Sequence, residues 1–194
     1  RSLAEFFGGR DPSRLVFSYN STDALNLAIF GLLEKGDHAL STTLEHNSVL
    51  RPLYHLSEDE GVEVDYVPFD ARGFVDPDDF KSRFRDNTRL VVVNHASNVI
   101  GTVQPVKEIG RLCRERGVPF LIDASQTAGK VPIDVEAQGI DAAAVLEDDS
   151  RGRVRTESRM TPVRAGPPAA RPPAGRDDPR PAPRVRARSL GHLL

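Results

Sequence analysis

The feature that most constrains the fold of this chain is an alternation of strand-like and helix-like segments between residues 14 and 145. The apolar run Arg89–Asn94 is typical of a strand that is buried on both faces of a sheet. Helical spacing of Leu25 and Ile29 predicts a helix over residues 22–35. Because parallel strands need crossover connections, which are usually helices, this alternation predicts an α/β domain with a mostly parallel sheet.

The other predicted elements follow the same alternation. Further strands are predicted at 14–18, 38–42, 62–67, 118–122 and 141–145, and further helices at 48–60, 76–84, 105–116 and 134–138. Gly61 and Gly117 come directly after two of these helices, where glycine commonly ends a helix. Either Asn20 or Ser21 is expected to cap the helix over residues 22–35.

Apolar runs and cysteine usage bear on the location of the protein. No apolar stretch reaches about eighteen residues, so the sequence predicts no transmembrane helix and no membrane partner. The single cysteine, Cys113, excludes an internal disulfide and is typical of the reducing cytoplasm, where we expect the protein to act. The chain begins at Arg1 and Ser2–Gly9 does not resemble a signal peptide, so we expect the natural start of the protein to be missing.

Residues 146–194 differ from residues 1–145 in charge and composition. The first 145 residues hold 15 Lys/Arg against 22 Asp/Glu, whereas residues 146–194 hold 11 Arg, no Lys, 6 Asp/Glu and 8 Pro. Such a segment buries too little apolar surface to offset chain entropy, so we predict a domain over 1–145 and a disordered Arg/Pro-rich tail over 146–194.

The tail also lacks Phe, Tyr, Ile, Asn and Lys, whose codons are AT-rich. A GC-rich gene that is read out of frame yields Arg, Pro, Ala and Gly instead. We therefore hypothesise that the reading frame is lost near Val145 or Leu146. A natural Arg/Pro-rich linker or nucleic-acid-binding tail is the alternative.

Polar residues follow several of the predicted strands. Asp123 and Gln126 follow the strand at 118–122, His46 follows the strand at 38–42, and Asn98 follows Arg89–Asn94. Ligands of open α/β sheets bind beyond the carboxyl ends of the strands, so these side chains are candidates for one binding site. Each also has an ordinary explanation when taken alone: a turn cap, a loop histidine or the closure of a turn.

A second candidate feature is the Asn20–Thr22 segment before the first long helix. Free amides at a helix N-terminus, with hydroxyls beside them, form an anion site, although simple helix capping is the better explanation when this segment is taken alone. Cys113 shares a helix face with Ile109 and is expected to pack in the core, and His95 is expected to be structural. The sequence contains no metal-ligand cluster, Walker-type loop or G-x-G-x-x-G motif.

The order of four segments along the chain resembles one enzyme family. The segments are Phe17–Ile29, Thr43–Leu50, Val93–Pro105 and Phe120–Gly129. They resemble, in turn, the phosphate-loop, histidine, asparagine and Asp-Ala-x-Gln segments of the class V aminotransferases and cysteine desulfurases, which are fold-type I pyridoxal-phosphate enzymes. The resemblance implies part of the three-layer large domain of those transferases, with pyridoxal 5'-phosphate as cofactor.

The resemblance also implies a role for each candidate residue. Ser21 and Thr22 would hold the cofactor phosphate, and His46 would stack on the pyridine ring as the catalytic histidine. Asn98 would bond the ring hydroxyl oxygen, and Gln126 would lie near the same oxygen. Asp123 would pair with the protonated ring nitrogen and so keep the ring electron-withdrawing.

One expected motif of the family is absent. The family places a His-Lys pair, whose lysine forms the Schiff base with the cofactor, after the segment that corresponds to Gly139–Asp141. Here that region is Leu146–Ser150, and the last lysine of the chain is Lys130, to which we assign no such role. We therefore expect a truncated chain with little or no catalysis of its own.

The resemblance leaves the reaction open. Cysteine desulfurase-like C–S cleavage, which gives alanine and enzyme-bound sulfur, is the leading activity expected of an intact relative with cysteine as substrate. Aminotransfer on another amino acid is the alternative. A third and less favoured hypothesis is a non-catalytic module that binds a phosphorylated ligand and carries a nucleic-acid-binding tail. Intact relatives are expected to be homodimers.

Overall fold

A mostly parallel sheet organises the fold. The structure is a computed structural model that describes residues 2–146 and 158–160. Its strands are β1 (Val16–Ser18), β2 (His38–Thr42), β3 (Glu63–Val67), β4 (Thr88–Asn94), β5 (Phe120–Asp123), β6 (Ala142–Leu146) and β7 (Ser158–Met160). They lie in the order β1-β7-β6-β5-β4-β2-β3. The pairs from β3 through β6 are parallel, whereas β7 is antiparallel to both β1 and β6.

Helices cover both faces of this sheet. They are α1 (Ser2–Phe6), α2 (Ser21–Leu32), α3 (Asn47–Glu60), α4 (Pro77–Arg83), α5 (Val106–Arg116) and α6 (Val135–Gln138). The α2 and α3 helices pack on one face, and α4, α5 and α6 pack on the other. Across the described residues, none of these helices combines the length and apolar character needed to cross a bilayer.

Two apolar cores lie on opposite sides of the sheet, because successive strand side chains point to opposite faces. In β4, Leu90 and Val92 belong to the core under α2 and α3, whereas Val91 and Val93 belong to the core under α4 and α5. All four side chains are fully buried. The predicted three-layer α/β fold with a mostly parallel sheet is therefore confirmed.

The first long helix, α2, shows how the local sequence sets its bounds. The Asn20 side chain accepts a hydrogen bond from the Asp23 amide at 2.8 Å and caps the start, as one of the two predicted residues. The helix ends at Leu32 rather than at the predicted residue 35. Its end is displaced because the Glu34 amide donates to the Asp37 carboxylate at 2.8 Å, which stabilises a turn in place of the last helical residues.

The strand β7 lies inside the segment that the sequence predicts to be a disordered tail. Residues 158–160 pair with β1 on one side and with β6 on the other. This pairing is possible because the facing edges of β1 and β6 offer backbone donors and acceptors that a strand can pair. The rest of the predicted tail lies outside the described residues.

Candidate functional site

The candidate site lies at the edge of the sheet where the parallel strands end. The strands β2, β4 and β5 run in one direction and end at Thr42, Asn94 and Asp123. Asn94 and Asp123 are direct partners in the register of β4 and β5. The loops that follow β2, β4 and β5 carry, in turn, His46, Asn98 and Gln126, so the topology gathers the predicted site residues at one edge.

The N-terminus of α2 faces this same edge. Ser21 and Thr22 are its first two residues, and their amides have no acceptor within the helix at these positions. The Asp23 amide is already taken by the Asn20 side chain. Two amides without an intrahelical acceptor, two hydroxyls and the positive end of the helix dipole make this a site suited to an anion such as phosphate.

A chain of hydrogen bonds joins the α2 terminus to His46. The hydroxyls of Thr22 and Ser48 are 2.8 Å apart, and the Ser48 hydroxyl lies 2.8 Å from Nδ1 of His46. His46 also caps α3, because its Nδ1 accepts the Ser48 amide at 3.2 Å. Two residues that the sequence predicts as parts of one site, Thr22 and His46, are thus connected through Ser48.

These bonds select one tautomer of the neutral His46 ring. Nδ1 accepts from a backbone amide and so cannot carry a proton in this arrangement. The neutral ring therefore holds its proton on Nε2, which leaves one N–H donor on the far side of the ring from α3. His46 is exposed, so its ring face is available to a planar ligand.

Asp123 is a nearly buried carboxylate at the tip of β5, with a relative exposure of 4%. Its Oδ1 accepts from the Ser125 amide at 3.0 Å and from the Ser125 hydroxyl at 2.5 Å. Both of these donors lie on the same oxygen of the carboxylate. The other oxygen is then available to pair with a cationic group placed beyond the strand end.

Glu45 is a site residue that sequence reasoning missed. It is buried, and its Oε1 accepts from the Thr42 hydroxyl at 2.6 Å and the Asn94 amide at 2.9 Å. Burial raises the pKa of Glu45 to about 8; the bonds from Thr42 and Asn94 oppose this shift, and the negative charge of Asp123 adds to it. The only signal in the sequence is a carboxylate directly before His46, which a pattern alone cannot distinguish from an exposed one.

Asn98 and Gln126 are both exposed on the loops that follow β4 and β5. A buried contact joins these loops, since Nδ1 of His95 lies 2.9 Å from the Thr127 hydroxyl. Burial lowers the pKa of His95, so the ring stays neutral and structural, as expected. The structure therefore brings the two loops together but records no direct contact of Asn98 or Gln126 with Asp123 or His46 among its hydrogen bonds.

The remaining sequence expectations concern Cys113 and Lys130. Cys113 is fully buried in the core beneath α5, and burial raises the pKa of its thiol, which makes it unreactive as expected. Lys130 is exposed and lines a cavity with Phe6, Lys107 and Asp134. That cavity contains none of the predicted cofactor residues.

The residues at the strand edge fit a phosphorylated aromatic cation. The α2 terminus supplies amides for a phosphate, His46 supplies a ring face, and Asp123 supplies a carboxylate for a protonated ring nitrogen. The fit rests on the Thr22–Ser48–His46 chain, because it fixes the phosphate site and the stacking ring relative to each other. Within the described residues, no cluster of His, Cys, Asp and Glu side chains suits a metal ion.

Comparison with known families identifies relatives of this chain. Residues 1–145 match the model of the family described as aminotransferase class-V. The cysteine desulfurase IscS of Dictyoglomus turgidum is 38% identical over 141 residues, which cover 71% of this chain and 36% of that protein. The cysteine desulfurase IscS of Rickettsia rickettsii is 40% identical over 149 residues, which cover 75% of this chain and 36% of that protein.

Solved structures give the same likeness. The structure of SspA in complex with cysteine has a TM-score of 0.76 and 31% identity, and the match covers 82% of this chain and 46% of that one. The apo structure of a cysteine desulfurase from Thermococcus onnurineus NA1 has a TM-score of 0.76 and 27% identity, and the match covers 84% of this chain and 41% of that one. The chain thus spans about 36% of the length of the curated relatives it matches.

Proposed function

Because the chain belongs to the aminotransferase class-V family, we propose that its first 145 residues form the cofactor-binding part of a cysteine desulfurase-like enzyme. Class-V aminotransferases and cysteine desulfurases use pyridoxal phosphate. The observation that carries the proposal is the Thr22–Ser48–His46 chain at the sheet edge where β5 ends in Asp123, since this chain joins a phosphate site to a ring face.

Each residue at the strand edge then has a physical task. Ser21 and Thr22 bind the phosphate through amides and hydroxyls, and His46 orients the ring by stacking. Asp123 holds a proton on the ring nitrogen by charge and hydrogen bonding. When it is bound, the cofactor withdraws electrons from the Cα of an amino-acid substrate, and the Asp123 charge strengthens that withdrawal.

Asn98 and Gln126 are proposed to bind the ring hydroxyl oxygen. Both are exposed at the same sheet edge, and the His95–Thr127 contact keeps their loops adjacent. An amide N–H from each side chain would donate to that oxygen.

The proposed substrate is cysteine. Two curated relatives are cysteine desulfurases, and the SspA structure contains cysteine. The proposed reaction is C–S cleavage that gives alanine and enzyme-bound sulfur. A class-V aminotransferase reaction on another amino acid is the alternative, because the family description covers both kinds of enzyme.

For the polypeptide of residues 1–194, we propose little or no turnover. The family's covalent link to the cofactor is a lysine, and no lysine follows Lys130 in this sequence. The strand-edge residues can still bind the cofactor without a covalent bond. We also propose homodimerisation in intact relatives and a cytoplasmic location, the latter supported by the single, buried cysteine.

A titration of the purified chain with pyridoxal phosphate tests the proposal. We expect saturable binding that is followed by absorbance, and we expect Asp123→Asn to weaken it by roughly 10- to 100-fold, because hydrogen bonds to charged groups contribute about 1.5–3 kcal/mol. Asp59→Asn is the matched control, because Asp59 is exposed in α3 and should leave affinity unchanged. Equal affinity for the wild type and Asp123→Asn would exclude the proposed site.

A further inference from the structure

Glu45 joins three parts of the candidate site. Its Oε1 accepts from the Thr42 hydroxyl at the end of β2 and from the Asn94 amide at the end of β4. The Asn94 side chain also donates to the Leu44 carbonyl at 3.4 Å. The loop that carries His46 is thus fastened to the end of β4 by two hydrogen bonds, and one of them ends on the Glu45 carboxyl.

The second carboxyl oxygen of Glu45 has no partner. Oε2 is buried and, among the described residues, receives no hydrogen bond. An ionised carboxylate in this place would have an unsolvated oxygen, which costs far more free energy than a buried neutral acid. A neutral acid would place a hydroxyl on Oε2 and keep Oε1 as the acceptor for Thr42 and Asn94.

The charges that face Glu45 favour the neutral form as well. Asp123 approaches it from β5 and repels a second negative charge, and Asp123 itself has two donors from Ser125. Tyr66 faces it from β3, and burial raises the pKa of that phenol, so the phenol brings no charge that could offset one on Glu45. Both carboxyls accept one amide and one hydroxyl, so the feature that separates them is the buried, unpartnered Oε2 of Glu45.

We propose that Glu45 is a positioning residue that remains a neutral carboxylic acid, fastens the His46 loop to β4, and leaves Asp123 as the ionised carboxylate at the strand ends. A single negative charge then faces the cofactor's ring nitrogen. The part of this inference that concerns the cofactor rests on the proposed function. The protonation of Glu45 does not, because it follows from contacts within the chain.

The pH dependence of folding tests the protonation without any cofactor. An acid whose folded pKa lies above its unfolded value of about 4.5 stabilises the fold fully at low pH, and this contribution is lost as pH rises toward 8. Glu45→Gln is always neutral and keeps an acceptor for Thr42 and Asn94. We therefore expect the midpoint of thermal unfolding of Glu45→Gln to rise relative to that of the wild type, by several degrees, between pH 5 and pH 8.

The matched control is Glu60→Gln, because Glu60 is exposed at the end of α3 and should show no such trend. A constant or shrinking difference between Glu45→Gln and the wild type would overturn the proposal. A carbon-13 NMR titration of the glutamate carboxyls in the wild type gives a second reading. A titration in which all glutamate carboxyls, including that of Glu45, change protonation near pH 4.5 would also overturn the proposal.

The positioning role has its own readout in the His46 ring. We expect the nitrogen-15 signals of His46 to keep the Nε2-protonated pattern in Glu45→Gln and to lose it in Glu45→Ala, which removes the hydrogen bond from the Asn94 amide and leaves only the weaker one from the Asn94 side chain to the Leu44 carbonyl. Unchanged signals in Glu45→Ala would refute the positioning role. A chain that binds no cofactor but shows the raised Glu45 titration refutes the proposed function alone, and the reverse result refutes this inference alone.

Discussion

Nδ1 of His46 lies 2.8 Å from the Ser48 hydroxyl and also accepts a hydrogen bond from the Ser48 amide, so one serine holds one edge of the imidazole through two of its atoms. The ring is therefore oriented before any ligand arrives. Preorganisation of this kind lowers the entropy cost of binding. It also makes Ser48 a residue whose effect on a ligand acts entirely through His46 and Thr22.

Replacing Ser48 should weaken cofactor binding without unfolding the chain. Ser48→Ala keeps the hydrogen bond from the backbone amide of residue 48 to His46 but removes the hydroxyl that links Thr22 to the ring. We expect pyridoxal-phosphate affinity to fall by roughly 5- to 10-fold, because one neutral hydrogen bond contributes about 1 kcal/mol. Ser82→Ala in α4, an exposed serine, is the control in the same absorbance titration. Affinity equal to that of the control would show that the chain of hydroxyls does not orient the site.

The lysine content predicts the outcome of reductive trapping. Borohydride treatment of the chain with bound pyridoxal phosphate should give no single, stoichiometric lysine adduct by mass spectrometry, because Lys130 lines a cavity that contains none of the strand-edge residues. Scattered, substoichiometric labelling of exposed lysines is the expected background. A stoichiometric adduct confined to Lys130 would reverse the assignment of that residue.

Close packing between α5 and α6 predicts that position 110 requires glycine. A side chain at Gly110 would collide with the backbone of Gln138 and Gly139, which cannot move without displacing α6. We expect Gly110→Ala to lower the free energy of unfolding by about 1–3 kcal/mol through overpacking. Gly31→Ala in α2 meets open space and should instead stabilise the helix by up to about 1 kcal/mol. Denaturant titration of both variants checks this, and equal effects would contradict the packing.

Acid should destabilise the fold through His38. Its ring is buried, with Nδ1 2.8 Å from the Thr88 hydroxyl, and burial, followed by the Arg85 charge, lowers its pKa from 6.5 despite the opposing charges of Asp65 and Glu63. A lowered histidine pKa means that stability is present above pH 6.5 and is lost as pH falls through the folded pKa.

The variant His38→Gln removes this titration. We expect its unfolding free energy to depend less on pH below 6.5 than that of the wild type, whatever its absolute stability. His55→Gln is the control, since that side chain is 65% exposed. An acid dependence that is equally steep in His38→Gln and the wild type would assign it to other groups.

The elements of residues 14–145 were predictable because their sequence cues are local. Asn20 caps α2, glycines 61 and 117 end α3 and α5, and the apolar run of β4 needs two buried faces. Each of these cues acts within a few residues of the element that it bounds.

Glu45 and β7 could not be predicted because they depend on contacts that are distant in sequence. The burial of Glu45 requires Asn94 and Asp123, which come from two other strands. The placement of β7 depends on the edges of β1 and β6 rather than on the propensity of residues 158–160. Local patterns carry no information about such partners.

Among the described residues, β1 is hydrogen-bonded within the sheet only to β7. The N-terminus of α2, at residues 20–22, directly follows β1. Among the described elements, an early strand is thus secured to the sheet by β7, which is synthesised after all the others. On a ribosome, the nascent chain would expose the phosphate site before its supporting strand has emerged. Ligand capture during translation would therefore come late, after residue 160 has left the exit tunnel.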